Sequence, residues 1–124
     1  MVKISNRLMT AAALVTQGYT LADVGTDHGY IPIYLLQQKK IPAAIAMDIN
    51  EGPLERAKEH IALYGLQAYI QTRLSDGVAA LKPGEVEAVL IAGMGGGLVM
   101  HILKDGEKVD RKSTRLNSSH LVIS

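Results

Sequence analysis

The stretch Thr20-Leu21-Ala22-Asp23-Val24-Gly25-Thr26-Asp27-His28-Gly29-Tyr30-Ile31-Pro32 decides the fold. It opens as a short apolar run, the pattern of a buried strand. Gly25 and Gly29 then permit a tight turn and a close approach of backbone to a ligand. Pro32 suits the first turn of a helix, and Ile33, Leu35 and Leu36 continue it. The unit is therefore strand, glycine turn, helix.

On the N-terminal side, Ser5 is placed to cap a helix carrying Leu8, Ala11, Ala12 and Val15, closed by Gly18. On the C-terminal side the unit repeats. Pro42 breaks the chain, 43–47 reads as a second buried strand ending at Asp48, and Pro53 starts a helix that runs to Gly65. A third strand over 69–74 ends in Ser75-Asp76-Gly77. A short helix over 78–81 and a Pro83-Gly84 turn lead to a fourth strand over 88–92. The glycine-rich run Gly93-Met94-Gly95-Gly96-Gly97 follows, then one more helix over 98–103. No further strand is legible. Four alternations with short connections and continuous apolar strands predict an α/β fold, a parallel sheet with helices on both faces.

Composition narrows the class. The chain has 124 residues, enough for one small domain, and 48% are hydrophobic. Five Tyr with no Phe or Trp leave the core to aliphatic residues. No cysteine means no disulfide framework and no thiolate metal site. No run approaches the ~18 apolar residues that span a bilayer, so the expectation is a soluble cytoplasmic protein. The net charge of +1 belongs to the C-terminus: without residues 110–124 the chain holds 10 basic and 11 acidic residues. That balance carries no electrostatic footprint for nucleic acid.

In open parallel sheets ligands bind outside the carboxyl ends of the strands, so four motifs should share one crevice. The first is Asp23 to Tyr30. A phosphate-binding turn would read G-x-G-x-x-G; here Asp27 stands where that turn wants glycine, and its carboxylate would repel a pyrophosphate. It suits a cationic or zwitterionic ligand. The second is Asp48, 23 residues after Gly25, near the spacing of an acidic residue that binds ribose hydroxyls. It could equally cap the helix that follows, as could Asn50. The third is Asp76-Gly77, whose carboxylate could accept from an adenine amino group or simply form an Asp-Gly turn. The fourth is the 92–97 loop. It lacks the Asp/Asn-Pro-Pro-aromatic motif of amino-group methyltransferases, which points to an acceptor with its own lone pair, such as a ring nitrogen. His60 reads as a surface residue and His101 is ambiguous. No histidine pair has metal-ligand spacing with supporting carboxylates, so no metal is expected.

Ser5-Asn6-Arg7-Leu8, the 22–32 stretch, Asp48 with Gly52-Pro53, Ser75-Asp76-Gly77 and Ile91-Ala92-Gly93-Met94-Gly95-Gly96 together resemble the bacterial tRNA (adenine(22)-N(1))-methyltransferase family, from about residue 4 to 104. The resemblance implies a Rossmann-like class I methyltransferase domain, S-adenosylmethionine as cofactor, no metal, and methylation of an adenine N1 in tRNA. It also implies further strands and a helical C-terminal domain through which tRNA would bind. Gly25, Asp27 and His28, with Asp23 in the same motif, would line the methionine end of the cofactor. Asp48 would hold the ribose, and Asp76 with Gly77 the adenine. Gly93 and Met94 would face the target base, and Asp27 is the candidate catalytic carboxylate.

Residues 1–109 are thus expected to form a partial cofactor-binding domain. Residues 110–124 have no apolar periodicity and resemble the in-frame translation of a short-read sequencing adaptor, so no role is assigned to them. Two other functions stay open: a module that binds the cofactor without catalysis, and a shortened chain without activity. An NAD-linked oxidoreductase is disfavoured by Asp27.

Overall fold

Right-handed crossovers explain which face of the sheet each connection covers. The computed structural model describes residues 2–26, 28–93, 96–101 and 121–123. After α1 (Asn6–Ala13), the chain runs β1 (Leu21–Val24), α2 (Tyr30–Gln37), β2 (Ala44–Asp48), α3 (Glu51–Leu63), β3 (Ile70–Leu74), β4 (Ala88–Gly93), β5 (Gly96–His101) and β6 (Leu121–Ile123). The strands lie in the order β3-β2-β1-β4-β5-β6. β1 pairs in parallel with β2 and β4, and β2 with β3. This is the Rossmann-like four-strand parallel core that the alternation predicts.

The crossovers β1–α2–β2 and β2–α3–β3 step the same way across the sheet, so both helices fall on one face. Alternate residues follow: Leu21, Ala44, Ala46, Ile70, Ala88 and Leu90 join Ala11, Ile31, Ile33, Leu35, Ala57 and Ile61 in the larger core cluster. The β3–β4 connection must jump back over β2 and β1, which puts it on the other face. There Ala22, Val24, Ile45, Met47 and Val89 pack with Val86 and Leu81.

That connection corrects two expectations. No helix forms over 78–81. The segment is a series of turns, with Ala79 N–H donating to Asp76 and Leu81 N–H to Val78. Four residues before Pro83 are too few to sustain a helix, and side chains take the backbone groups instead: Ala80 N–H donates to Ser75 Oγ and Ala80 O accepts from Arg73. Among the described residues, helices therefore cover one face and turns the other.

The 98–103 helix is also corrected. Residues 96–101 form β5, antiparallel to β4 with Gly93 opposite Gly96, and β6 pairs antiparallel with β5. A short apolar run such as Leu98-Val99-Met100 fits either period, and an unpaired β4 edge would leave its backbone groups unsatisfied. The sheet thus continues beyond the fourth parallel strand. Smaller differences lie at helix starts. α2 opens at Tyr30 behind Gly29, and α3 at Glu51 behind Asn50, so Pro32 and Pro53 each sit within a first turn rather than opening it.

Candidate functional site

β1, β2, β3 and β4 run in parallel, so their carboxyl ends lie on one edge of the sheet. The strand order reverses between β1 and β4, the place where such sheets open a ligand crevice. Past Val24, Gly25 takes φ +77, a left-handed conformation that favours glycine. Its N–H and that of Thr26 both donate to Met47 O at 2.8 Å, tying the turn to the end of β2.

Asp23 is the most unusual group at this edge. It is 2% exposed. Its Oδ2 accepts from Thr26 Oγ1 at 2.8 Å, and Oδ1 has no partner among the described residues. Burial pushes its carboxyl up to about 7; the Thr26 hydrogen bond opposes the shift and the negative Asp48 nearby adds to it. An orphaned, buried carboxylate oxygen beside a glycine turn is suited to a cation.

Asp48 closes β2 and is 8% exposed. Its Oδ1 accepts from Asn50 N–H at 3.0 Å, so one oxygen braces the entry to α3 while Asn50, the N-cap residue, makes no side-chain cap bond. Asn50, not Asp48, occupies the cap position of α3. Next to it Ile49 is 58% exposed, and Leu74 and Val78 are exposed near the end of β3.

At the end of β3, Ser75 is buried and its N–H donates to Asp48 O. Its hydroxyl donates to Gly77 O at 2.8 Å and accepts from Ala80 N–H. Gly77 is left-handed at φ +60, and Asp76 is exposed in the turn. Arg73 holds the far side of this loop with a bidentate pair to Glu85 at 2.8 and 2.7 Å.

The structure therefore brings Asp23, Gly25, Asp48, Asp76 and Gly77 to one edge, with Gly93 at the end of β4. Asp27 and Met94 lie outside the described residues. His28 is half-buried, its ring stacked on Tyr30 at 5.1 Å. His60, read from sequence as a surface residue, instead contacts the His28 carbonyl at 2.8 Å through Nδ1. Sequence reasoning also passed over Thr26, Ser75 and Ile49. Their position one or two residues past a strand end is the signal that could have found them. Among the described residues no group of three or more His, Cys, Asp or Glu could hold a metal ion, and no helix is long and apolar enough to cross a membrane.

A parallel sheet in this order, with acids at the carboxyl ends of β1, β2 and β3 and left-handed glycines after β1 and β3, defines a Rossmann-like methyltransferase fold. The sequence model of the methyltransferase domain matches residues 4–121, and the chain belongs to that family. It is 43% identical over 105 residues to the tRNA (adenine(22)-N(1))-methyltransferase of Bacillus subtilis (strain 168), an alignment covering 85% of this chain and 44% of that protein. Among solved structures it is similar to Sp1610 of Streptococcus pneumoniae in complex with S-adenosyl-L-methionine, at 44% identity and TM-score 0.71, over 75% of this chain and 44% of that one. M. capricolum TrmK in complex with S-adenosyl-homocysteine matches at 41% identity and TM-score 0.67, over 73% of this chain and 41% of that one. The chain thus spans less than half the length of these relatives.

Proposed function

We propose that this chain is the cofactor-binding part of an S-adenosylmethionine-dependent methyltransferase whose acceptor is N1 of an adenine in tRNA. The buried Asp23 Oδ1 at the end of β1, without a partner among the described residues, carries the reading, because it calls for a cationic ligand. The methionine end of S-adenosylmethionine has an ammonium and a sulfonium. The other residues present fit the group as well. Gly25, His28 and Asp27 would line its methionine end, Asp48 its ribose, and Ile49, Asp76 and Gly77 its adenine. When bound, the cofactor supplies an already activated methyl group.

The work left to the protein is then positioning. An adenine N1 has its own lone pair, so no strong base is needed before attack. Gly93 and Met94 are proposed to face the target base, which must leave its helical stack to reach the crevice. Methylation makes the ring cationic, and Asp27 is proposed as the carboxylate that balances that charge. The matched part is less than half of the tRNA relatives, and tRNA would be held mainly by segments beyond this chain, in the cytoplasm. Residues 110–124 are proposed to be adaptor translation.

The test has two parts. Titration calorimetry with S-adenosylhomocysteine should show binding by this chain, and chain 1–109 should bind as well. The source locus is re-amplified across codon 109 and the resulting frame assayed with labelled cofactor on tRNA carrying A22 or G22. Transfer to the A22 tRNA alone is expected. Binding without transfer by that frame leaves the non-catalytic module as the answer, and a frame that reads through the same 110–124 removes the adaptor reading.

A further inference from the structure

The turn between β1 and α2 is shaped from outside by one face of α3. Gly29 ends the turn at φ +74, and a Cβ there would lie 3.3 Å from Ala57 Cβ. Three residues on, and so on the same face of α3, His60 Nδ1 lies 2.8 Å from His28 O, a contact between residues 32 apart in sequence. A carbonyl oxygen only accepts, so Nδ1 carries the hydrogen. The His60 ring is fixed further by Tyr30, stacked at 5.3 Å and 20°, and by the His28 ring at 5.5 Å. On the other side Gly25 and Thr26 are bonded to Met47 O, and Gly29 N–H to Thr26 O.

We infer that His60 is a positioning residue: by donating Nδ1–H to the His28 carbonyl it fixes the path of the 25–29 turn and so the turn's affinity for the cofactor. The inference rests on reading that turn as the cofactor site. Of the described contacts, this hydrogen bond ties the His28 backbone to a different secondary-structure element. Its loss would let the turn sample other paths without exposing core residues, so the effect belongs to binding and not to folding.

The experiment compares the chain with His60→Ala, His60→Asn and His60→Gln, by calorimetric titration of S-adenosylhomocysteine and by ligand-free thermal melts. Asn places an amide N–H near the Nδ1 position, whereas Gln places it near Nε2. His60→Ala should weaken binding about tenfold, the loss of one hydrogen bond. His60→Asn should recover most of that loss, and His60→Gln should not. Melting points should change little in any of the three. Unchanged affinity in His60→Ala overturns the inference, as does a loss in all three that tracks their melting points. An unsubstituted chain that binds no S-adenosylhomocysteine overturns the cofactor reading itself, and its own titration separates that failure from the first.

Discussion

Two connections frame the crevice, and they are built from different physics. The β1–α2 turn is laid down on backbone and apolar surface: Gly25 and Thr26 N–H groups on Met47 O, Gly29 against Ala57, and α2 buried behind it. The 75–87 segment on the opposite face is held by polar side chains: Ser75 Oγ bridging the loop and Arg73 clamped to Glu85 and to Ala80 O. The packed side can hold a charged group out of water, as it does Asp23. The polar side shapes a surface but shields little. Apolar packing carries no titrating group of its own, so on the packed side a pH response is expected from Asp23, whereas an ion pair responds to both pH and salt.

Core truncation should show the largest contrast. Ile33 is fully buried in the helix-covered face and Val86 is buried under the turns. Ile33→Ala is expected to cost about 2–5 kcal/mol. Val86→Ala removes less volume and should cost about 2 kcal/mol. Urea unfolding measures both, and equal losses would mean that the turn-covered face is packed as firmly as the helical one.

Asp23 tests what the packed side is for. Its folded pKa of about 7 lies above the ordinary value of ~3.9. Between those two pH values the folded chain holds a proton that the unfolded chain has lost. Stability therefore falls as pH rises through that window, and the penalty is complete above about 7. Asp23→Asn should stabilise the ligand-free chain by about 1–3 kcal/mol at pH 8, the range for an unpaired buried polar group. The gain should shrink toward pH 4. The same substitution should abolish S-adenosylhomocysteine binding, and in the unsubstituted chain affinity should rise as pH climbs through about 7. A variant less stable at pH 8 than its parent would show that Asp23 is satisfied without a ligand.

The strand ends were the legible part on both sides. The strand-turn-helix pattern around Gly25 and Gly29, the acid at the end of β2 and the glycine after β3 follow from local rules of turn chemistry and strand position, and the structure places them on one edge. What escaped was set by long-range pairing. His60 looks like any surface histidine until α3 is laid against the 25–29 turn, because its partner is a backbone carbonyl 32 residues away. The 78–81 helix failed because Ser75 and Arg73 claim the backbone groups of Ala80. The 98–103 helix failed because the edge of β4 offered a partner, and no local propensity records that offer. Ile49 was missed for a simpler reason: an apolar residue after a strand reads as core, and only the sheet edge shows it in water.

The polar side should give the smallest effect but the sharpest signature. Arg73 holds the Glu85 carboxyl down to about 2 through its bidentate hydrogen bonds, helped by Lys82 N–H. The ordinary glutamate value is ~4.3. As pH falls, the unfolded chain takes up the proton first, so the stabilisation is complete above about 4.3 and disappears between there and about 2. The pair is only partly shielded, at 19% and 24% side-chain exposure, so it should contribute about 1 kcal/mol or less. Glu85→Gln should therefore lower the melting point slightly at pH 7 and in low salt. That difference should close as pH approaches 2, and shrink in 1 M salt. The Ile33→Ala difference should stay constant over the same pH range, since no titrating group is removed. If the two differences move together with pH, the ion pair is not what holds the 75–87 segment, and the crevice has two walls of the same kind.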